Sequence, residues 1–229
     1  MAQILNQTDR HEDMVTTMKK VIELGPNLNT DERNLLSVAY KNIVGSRRNS
    51  LRMITAIIEH EEGRGNTSRV EQLNNYKSTI LNELEKYCNE LIGLVDTQLL
   101  PNAKDAESRV FYEKLKADYY RYICESKPAE DKTETINKAK QCYENALEIA
   151  KNEIQPARPT SLGLILNYSV FLYEIIGQKQ EAIELAQKTY NDCSTCIDEL
   201  SDNSYSEATM ILQLLRDNVS LWTQDSEQS

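Results

Sequence analysis

Apolar residues recur along this chain at intervals of three and four, the spacing that lines one face of an α-helix. The clearest case is residues 33–58, RNLLSVAYKNIVGSRRNSLRMITAII, where Leu35, Leu36, Val38, Ala39, Ile43, Val44, Leu51, Ile54 and Ile58 keep the period. The same pattern predicts helices over 1–8, 10–24, 30–61, 67–99, 105–125, 133–153, 160–176, 179–200 and 203–222. Gly25-Pro26, Gly63, Gly65, Pro101, Pro128, Pro156 and Pro159 fall in the gaps, where residues that break helices belong. Asp9 and Thr30 are the expected caps of the second and third helices, and Asp31 and Glu32 suit the positive end of the third. Connections this short force antiparallel neighbours, with Ile80, Leu84, Cys88, Leu91 and Val95 in one seam and 133–153 paired with 160–176. No run alternates as a strand would. The expected fold is all-α, nine antiparallel helices, followed by a disordered polar tail over 224–229. A tetratricopeptide-like solenoid is the alternative, suggested by YENALEIAKNEIQP but without a sustained 34-residue repeat.

Composition narrows the class. Seven glycines, five prolines and two phenylalanines in 229 residues suit helices, and 40% apolar content is enough for a core. A net charge of -10 disfavours general binding to nucleic acid or to an anionic membrane. The first residues hold no apolar run of signal-peptide length, and no later segment is read as approaching 18 uncharged apolar residues, so a cytoplasmic, and also nuclear, location is expected. The five cysteines are read as reduced thiols, with Cys193 and Cys196 as two half-buried helix residues rather than a redox or zinc pair.

Against this acidic background, residues 33–58 hold five basic residues and no acid. Lys41 and Arg48, seven apart, fall within roughly 20° of each other on the helix, two turns apart on the polar face. Gly45 lies between them and leaves the backbone open to close approach. A second row follows in 105–125: Lys114 and Arg121, again seven apart, with Asp118 between them and Tyr122 next. Asp three residues before Arg can hold the guanidinium in one rotamer, and two guanidinium forks suit a phosphate dianion. Asn167, with Val170 and Glu174 at three and seven, sets a carboxamide in an apolar face, and Asn218 does so among Ile211, Leu214, Leu215, Leu221 and Trp222. A half-buried carboxamide needs a partner, and an extended peptide backbone supplies one. The only histidines, His11 and His60, stand in acidic surroundings. No metal-binding helix motif, phosphate loop or nucleophile triad occurs, so an enzyme, a metal and a cofactor are not expected.

Four stretches, SVAYKNIVGSRRNS, KADYYRY, LGLILNYSVFLYEI and LQLLRDNVSLWT, resemble signatures of the 14-3-3 family, and the similarity extends helix for helix. The resemblance implies an L-shaped array with an amphipathic groove, in a cup-shaped homodimer or a heterodimer with paralogues. Residues 1–223 would be one domain, with 1–98 for dimerisation and the groove floor and 105–223 for its walls. Lys41, Arg48, Arg121 and Tyr122 would bind the phosphate of a phosphoserine or phosphothreonine, and Asn167 and Asn218 would clamp the ligand backbone. Lys114, Leu166, Val170, Glu174, Ile211, Leu214, Leu221 and Trp222 would form the wall and edge. Phosphorylated kinases, phosphatases and other signalling proteins are the implied clients. At the implied dimer interface stand Ile4, Thr8, Arg10, Ser50, Tyr76 and Glu83, with Arg10 and Glu83 as an intersubunit ion pair. Departures occur at Asp13, which meets Thr79 where many members carry Lys, at Leu51 where Trp is common, and in a shorter amino terminus. A weaker dimer is expected. Ser50, after Arg47-Arg48-Asn49, resembles a basophilic kinase site, and phosphate there would repel a symmetry-related copy.

Overall fold

The structure, a computed structural model, describes residues 1–227. Its α-helices are α1 (Ala2–Gln7), α2 (His11–Leu24), α3 (Thr30–Gly63), α4 (Thr67–Leu94), α5 (Ala106–Ser126), α6 (Thr133–Glu153), α7 (Pro159–Phe171), α8 (Lys179–Cys193) and α9 (Asp202–Glu227). No strand occurs among the described residues. Both α4 and α7 continue into a wider π-type turn, Val95–Leu99 and Leu172–Ile176.

Local chemistry sets the helix ends. Asn29, not Thr30, caps α3: its Oδ1 accepts the Glu32 N–H at 3.0 Å while the Glu32 carboxylate accepts the Asn29 N–H at 2.9 Å. That reciprocal pair satisfies two N–H groups and moves the cap one residue earlier than the sequence suggested. Asp9 does not cap α2, because it takes a left-handed conformation (φ 55°) that closes α1, and Arg10 stands at the start of α2 instead. Gly177, at φ 81°, ends the π turn after α7, and the Gln178 N–H reaches back to the Leu172 carbonyl at 2.9 Å. Two expectations near the carboxyl end fail. α8 stops at Cys193, with a 3-10 turn over Ile197–Glu199, so buried Cys193 and exposed Cys196 straddle a turn rather than share a helix. The tail is helical as far as Glu227, and the rest of it lies outside the described residues.

The chain divides into two compact units, Met1–Asn102 and Ala103–Ser229. In the first, α2 and α4 both lie against α3. The buried residues here are Leu36, Ala39, Tyr40 and Ile43 of α3, Met14, Met18 and Ile22 of α2, and Leu84, Cys88 and Leu91 of α4. Glu90 ties the three helices together, accepting from the Tyr40 hydroxyl at 2.6 Å and from Lys19 Nζ at 3.1 Å. A separate cluster of Ile54, Ile58 and Ile80, with half-buried Leu51 beside it, holds the far end of α3 to α4.

In the second unit the main partner of α6 is α5 rather than α7, because α7 is shared among α5, α6, α8 and α9. Pro159–Ile176 is apolar for that reason: Leu162, Leu164, Phe171 and Leu172 are fully buried. Its 18 residues, at mean hydropathy 1.2, are long and apolar enough on average to cross a membrane, although Glu174 and several polar residues lie among them. Here that span is a core helix.

Candidate functional site

The candidate residues of the second unit gather where α5, α7 and α9 meet. Asp105 caps α5, accepting the Ser108 N–H at 2.7 Å, and so sets which residues face inward. Asp118 then falls on the inner side at 5% exposure, well short of the surface ion pair that its i, i+3 spacing alone would give. Its carboxylate is the hub of the site. Lys114 Nζ donates to Oδ2 at 2.8 Å, the Tyr143 hydroxyl to Oδ1 at 2.6 Å, and Asn167 Nδ2 to both oxygens at 2.9 and 2.8 Å. Arg121, 7% exposed, completes the ring with its guanidinium 3.8 Å from Oδ1.

The charges reinforce one another. Burial alone would raise the Asp118 pKa, but the Lys114 and Arg121 cations and the hydrogen bonds from Lys114 and Tyr143 outweigh it and hold the group below the usual carboxylate range. Burial opposes the Arg121 charge too, yet its neighbours, Tyr143 and Asp118 foremost, raise its pKa. The Tyr143 hydroxyl is pushed well above its ordinary value by burial and then by the Asp118 charge, so it stays a donor. An ionised carboxylate only accepts, so the Asn167 amide must turn its NH2 toward Asp118 and its carbonyl oxygen away.

Arg121 is held by more than Asp118. Its guanidinium donates to Glu125 Oε1 at 3.1 Å and lies over the Tyr122 ring, 4.7 Å from the centroid. Its buried Nε–H has no hydrogen-bond partner, a donor left over on a fixed cation.

On the α7 and α9 side the surface turns apolar. Lys114 Cε and Ile211 Cδ1 both stand 3.9 Å from where a side chain on Gly163 would begin, which fixes α5 and α9 on either side of α7. Leu166, Val170 and Ile211 are half-buried against the core. Leu214 and Leu221, at 50% and 56% exposure, flank half-buried Asn218 at helical spacing, and Met210 is exposed nearby. Exposed apolar side chains in a row on one helix are a mark of a binding surface. Glu174 is exposed in the π turn. Trp222 does not belong to this surface: at 4% exposure it stacks on Tyr173 with centroids 4.5 Å apart, in the core. The family resemblance implied a place on the wall, but the indole turns inward with Leu215.

In the first unit, α3 carries Lys41 and Arg48. Lys41 is exposed and makes no ion pair among the described residues, while Arg48 is half-buried. Elsewhere in the stretch Arg33 is buried and donates to the Leu28 carbonyl, Arg47 pairs with Glu12 and Glu83, and Arg52 donates to Asn49. The acids absent from the stretch therefore come in part from α2 and α4. No atom would contact a side chain at Gly45 within 4 Å. Of the residues matched to a dimer interface, Ile4 and Tyr76 are exposed and Ser50 is half-buried. The Thr8 hydroxyl donates to the Ile4 carbonyl at 2.9 Å. Arg10 and Glu83 each have a partner within the chain, Asp13 and Arg47.

Sequence reasoning missed Tyr143. Its signal was present: an aromatic with a hydroxyl among the small residues Ala139, Ala146 and Ala150 on the buried stripe of α6 must find a partner for that hydroxyl. Among the described residues no cluster of His, Cys, Asp and Glu could hold a metal ion.

The second unit is all-helical and sets a fixed cation and an oriented carboxamide beside exposed leucines. A family model described as 14-3-3 protein matches residues 1–223. The chain belongs to the 14-3-3 family, whose members are adaptors and not enzymes, and this takes the place of the tetratricopeptide-like fold. It is 45% identical over 226 residues to 14-3-3 protein beta/alpha of Xenopus tropicalis, covering 99% of this chain and 92% of that protein. It is 44% identical to 14-3-3-like protein 2 of Caenorhabditis elegans, covering 98% of this chain and 90% of the relative. With the checkpoint signal transducer rad24 of Schizosaccharomyces pombe the identity is 43%, covering 100% of this chain and 85% of that protein.

Proposed function

We propose that this adaptor binds client proteins through phosphorylated serine or threonine, held in an extended segment. The observation that carries the reading is the Asp118 hub, which fixes Arg121, Lys114 and Asn167 together on one side of an exposed leucine row. In the second unit Arg121 and the Tyr122 hydroxyl are the phosphate-binding groups, and in the first unit Lys41 and Arg48 of α3 are; Arg meets phosphate oxygens bidentately. Asn167, with its carbonyl oxygen turned from Asp118, accepts a main-chain N–H of the ligand, and Asn218 holds the backbone further along. Leu166, Val170, Leu214 and Leu221 cover the ligand's apolar side chains. Two chains associate through the first unit, whose exposed Ile4, Met53, Ile57 and Tyr76 form apolar surface for a second copy. Two linked sites would raise the affinity for a doubly phosphorylated client through effective concentration.

The test is fluorescence anisotropy with one labelled serine peptide, arginine three residues before the serine and proline two after, with and without phosphate. The phosphorylated form binds and its twin does not, and Lys41→Ala and Arg48→Ala each weaken binding by about tenfold or more. Equal binding of both forms would replace this reading with that of a scaffold for unphosphorylated segments.

A further inference from the structure

We propose that Tyr143, a core residue of α6, positions the ligand-binding groups of the second unit through Asp118; this rests on the phosphopeptide reading above. Of the groups on the Asp118 carboxylate, Tyr143 makes the shortest hydrogen bond, 2.6 Å, and is the one without access to solvent. Its ring packs against both Tyr168 and Phe171, with centroids 5.4 and 5.2 Å away, in a three-ring cluster that fixes where its hydroxyl stands. A tyrosine has only two side-chain torsions, and both are set by these neighbours. Lys114, by contrast, ends a long flexible stem whose side chain is 25% exposed. Tyr143 is thus the reference point and Lys114 the follower.

The consequence runs outward through one carboxylate. Oδ1 accepts from both Tyr143 and Asn167, and the Arg121 guanidinium stands 3.8 Å from the same oxygen. With the hydroxyl removed, the carboxylate is free to rotate toward Lys114, and the Asn167 amide and Arg121 guanidinium lose their shared anchor. Groups held by a fixed neighbour bind a ligand with less ordering cost than groups left to find their place. Tyr143 touches no ligand in this account. Its hydroxyl also neighbours the Arg121 guanidinium directly, but it reaches Asn167 only by holding Asp118.

The experiment is a double-mutant cycle read by anisotropy with the phosphoserine peptide, using wild type, Tyr143→Phe, Asp118→Asn and the double variant. Each is first shown to be folded by the fluorescence of Trp222. Each single variant weakens binding by about tenfold, the scale of losing a hydrogen bond to a charged group, and the double variant is no weaker than Asp118→Asn alone. Without ligand, the side-chain amide resonances of Asn167 shift in both single variants, a readout of orientation that needs no binding. Wild-type affinity in Tyr143→Phe, or losses that multiply to about a hundredfold in the double variant, would show a role independent of Asp118 and overturn the inference. An unshifted Asn167 amide would do the same. Should wild type fail to distinguish the phosphorylated peptide from its twin, the phosphopeptide reading falls, and this inference with it.

Discussion

Replacing Asp118 by alanine removes one acceptor and strands four donors. Arg121 and Lys114 lose a counter-charge, and the Tyr143 hydroxyl and Asn167 amide lose their acceptor. Breaking a buried ion pair by removing one partner costs about 3–5 kcal/mol. Arg121 keeps Glu125 at 3.1 Å, and Lys114 can reach water, so about 3 kcal/mol is the working figure. Urea unfolding followed through Trp222 reports on the surroundings of Asp118, since the chain has one tryptophan and it is buried in the core of the second unit. With an m-value of about 2 kcal/mol/M the midpoint falls by roughly 1–2 M. The control is Glu153→Gln, which removes the half-exposed Arg109 pair at 2.6 Å and costs under about 1 kcal/mol. The pH dependence has a definite sign. The folded pKa of Asp118 lies below its unfolded value, so the unfolded chain binds the extra proton first, and stability falls as pH falls. The difference between wild type and Asp118→Ala is therefore constant from neutral pH down to the unfolded carboxylate range near pH 4 and shrinks below it. A loss no larger than that of the control, or a difference that grows on acidification, would refute the hub as a source of stability.

Two further outcomes test other parts of the fold. Glu90→Ala removes the acceptor that joins Tyr40 and Lys19, and is expected to destabilise the first unit by about 1–3 kcal/mol in urea unfolding followed by circular dichroism. A thiol reagent at neutral pH labels Cys196 rapidly in the native protein and the other four cysteines only after unfolding, since those are buried and burial pushes the Cys124 thiol up to about 11; rapid native labelling of more than one thiol would contradict the packing.

Periodicity alone determined the helices, because an apolar stripe at three and four has no other way to be buried. It also located Lys114, Asp118 and Arg121 on one face, since spacing within a helix is fixed by its geometry. What it could not decide is what lies opposite a helix. Arg47 read as an equal of its neighbour Arg48 until tertiary contacts showed its pairs with Glu12 of α2 and Glu83 of α4. Trp222 and Leu221 are neighbours in sequence, yet the first stacks on Tyr173 while the second stays on the surface, which follows from the position of α7. Asp118 read as one half of a surface pair. Burial between α5, α6 and α7 made it the acceptor for Tyr143 and Asn167, residues 25 and 49 positions away, and a contact at that separation is written only in the packing of helices.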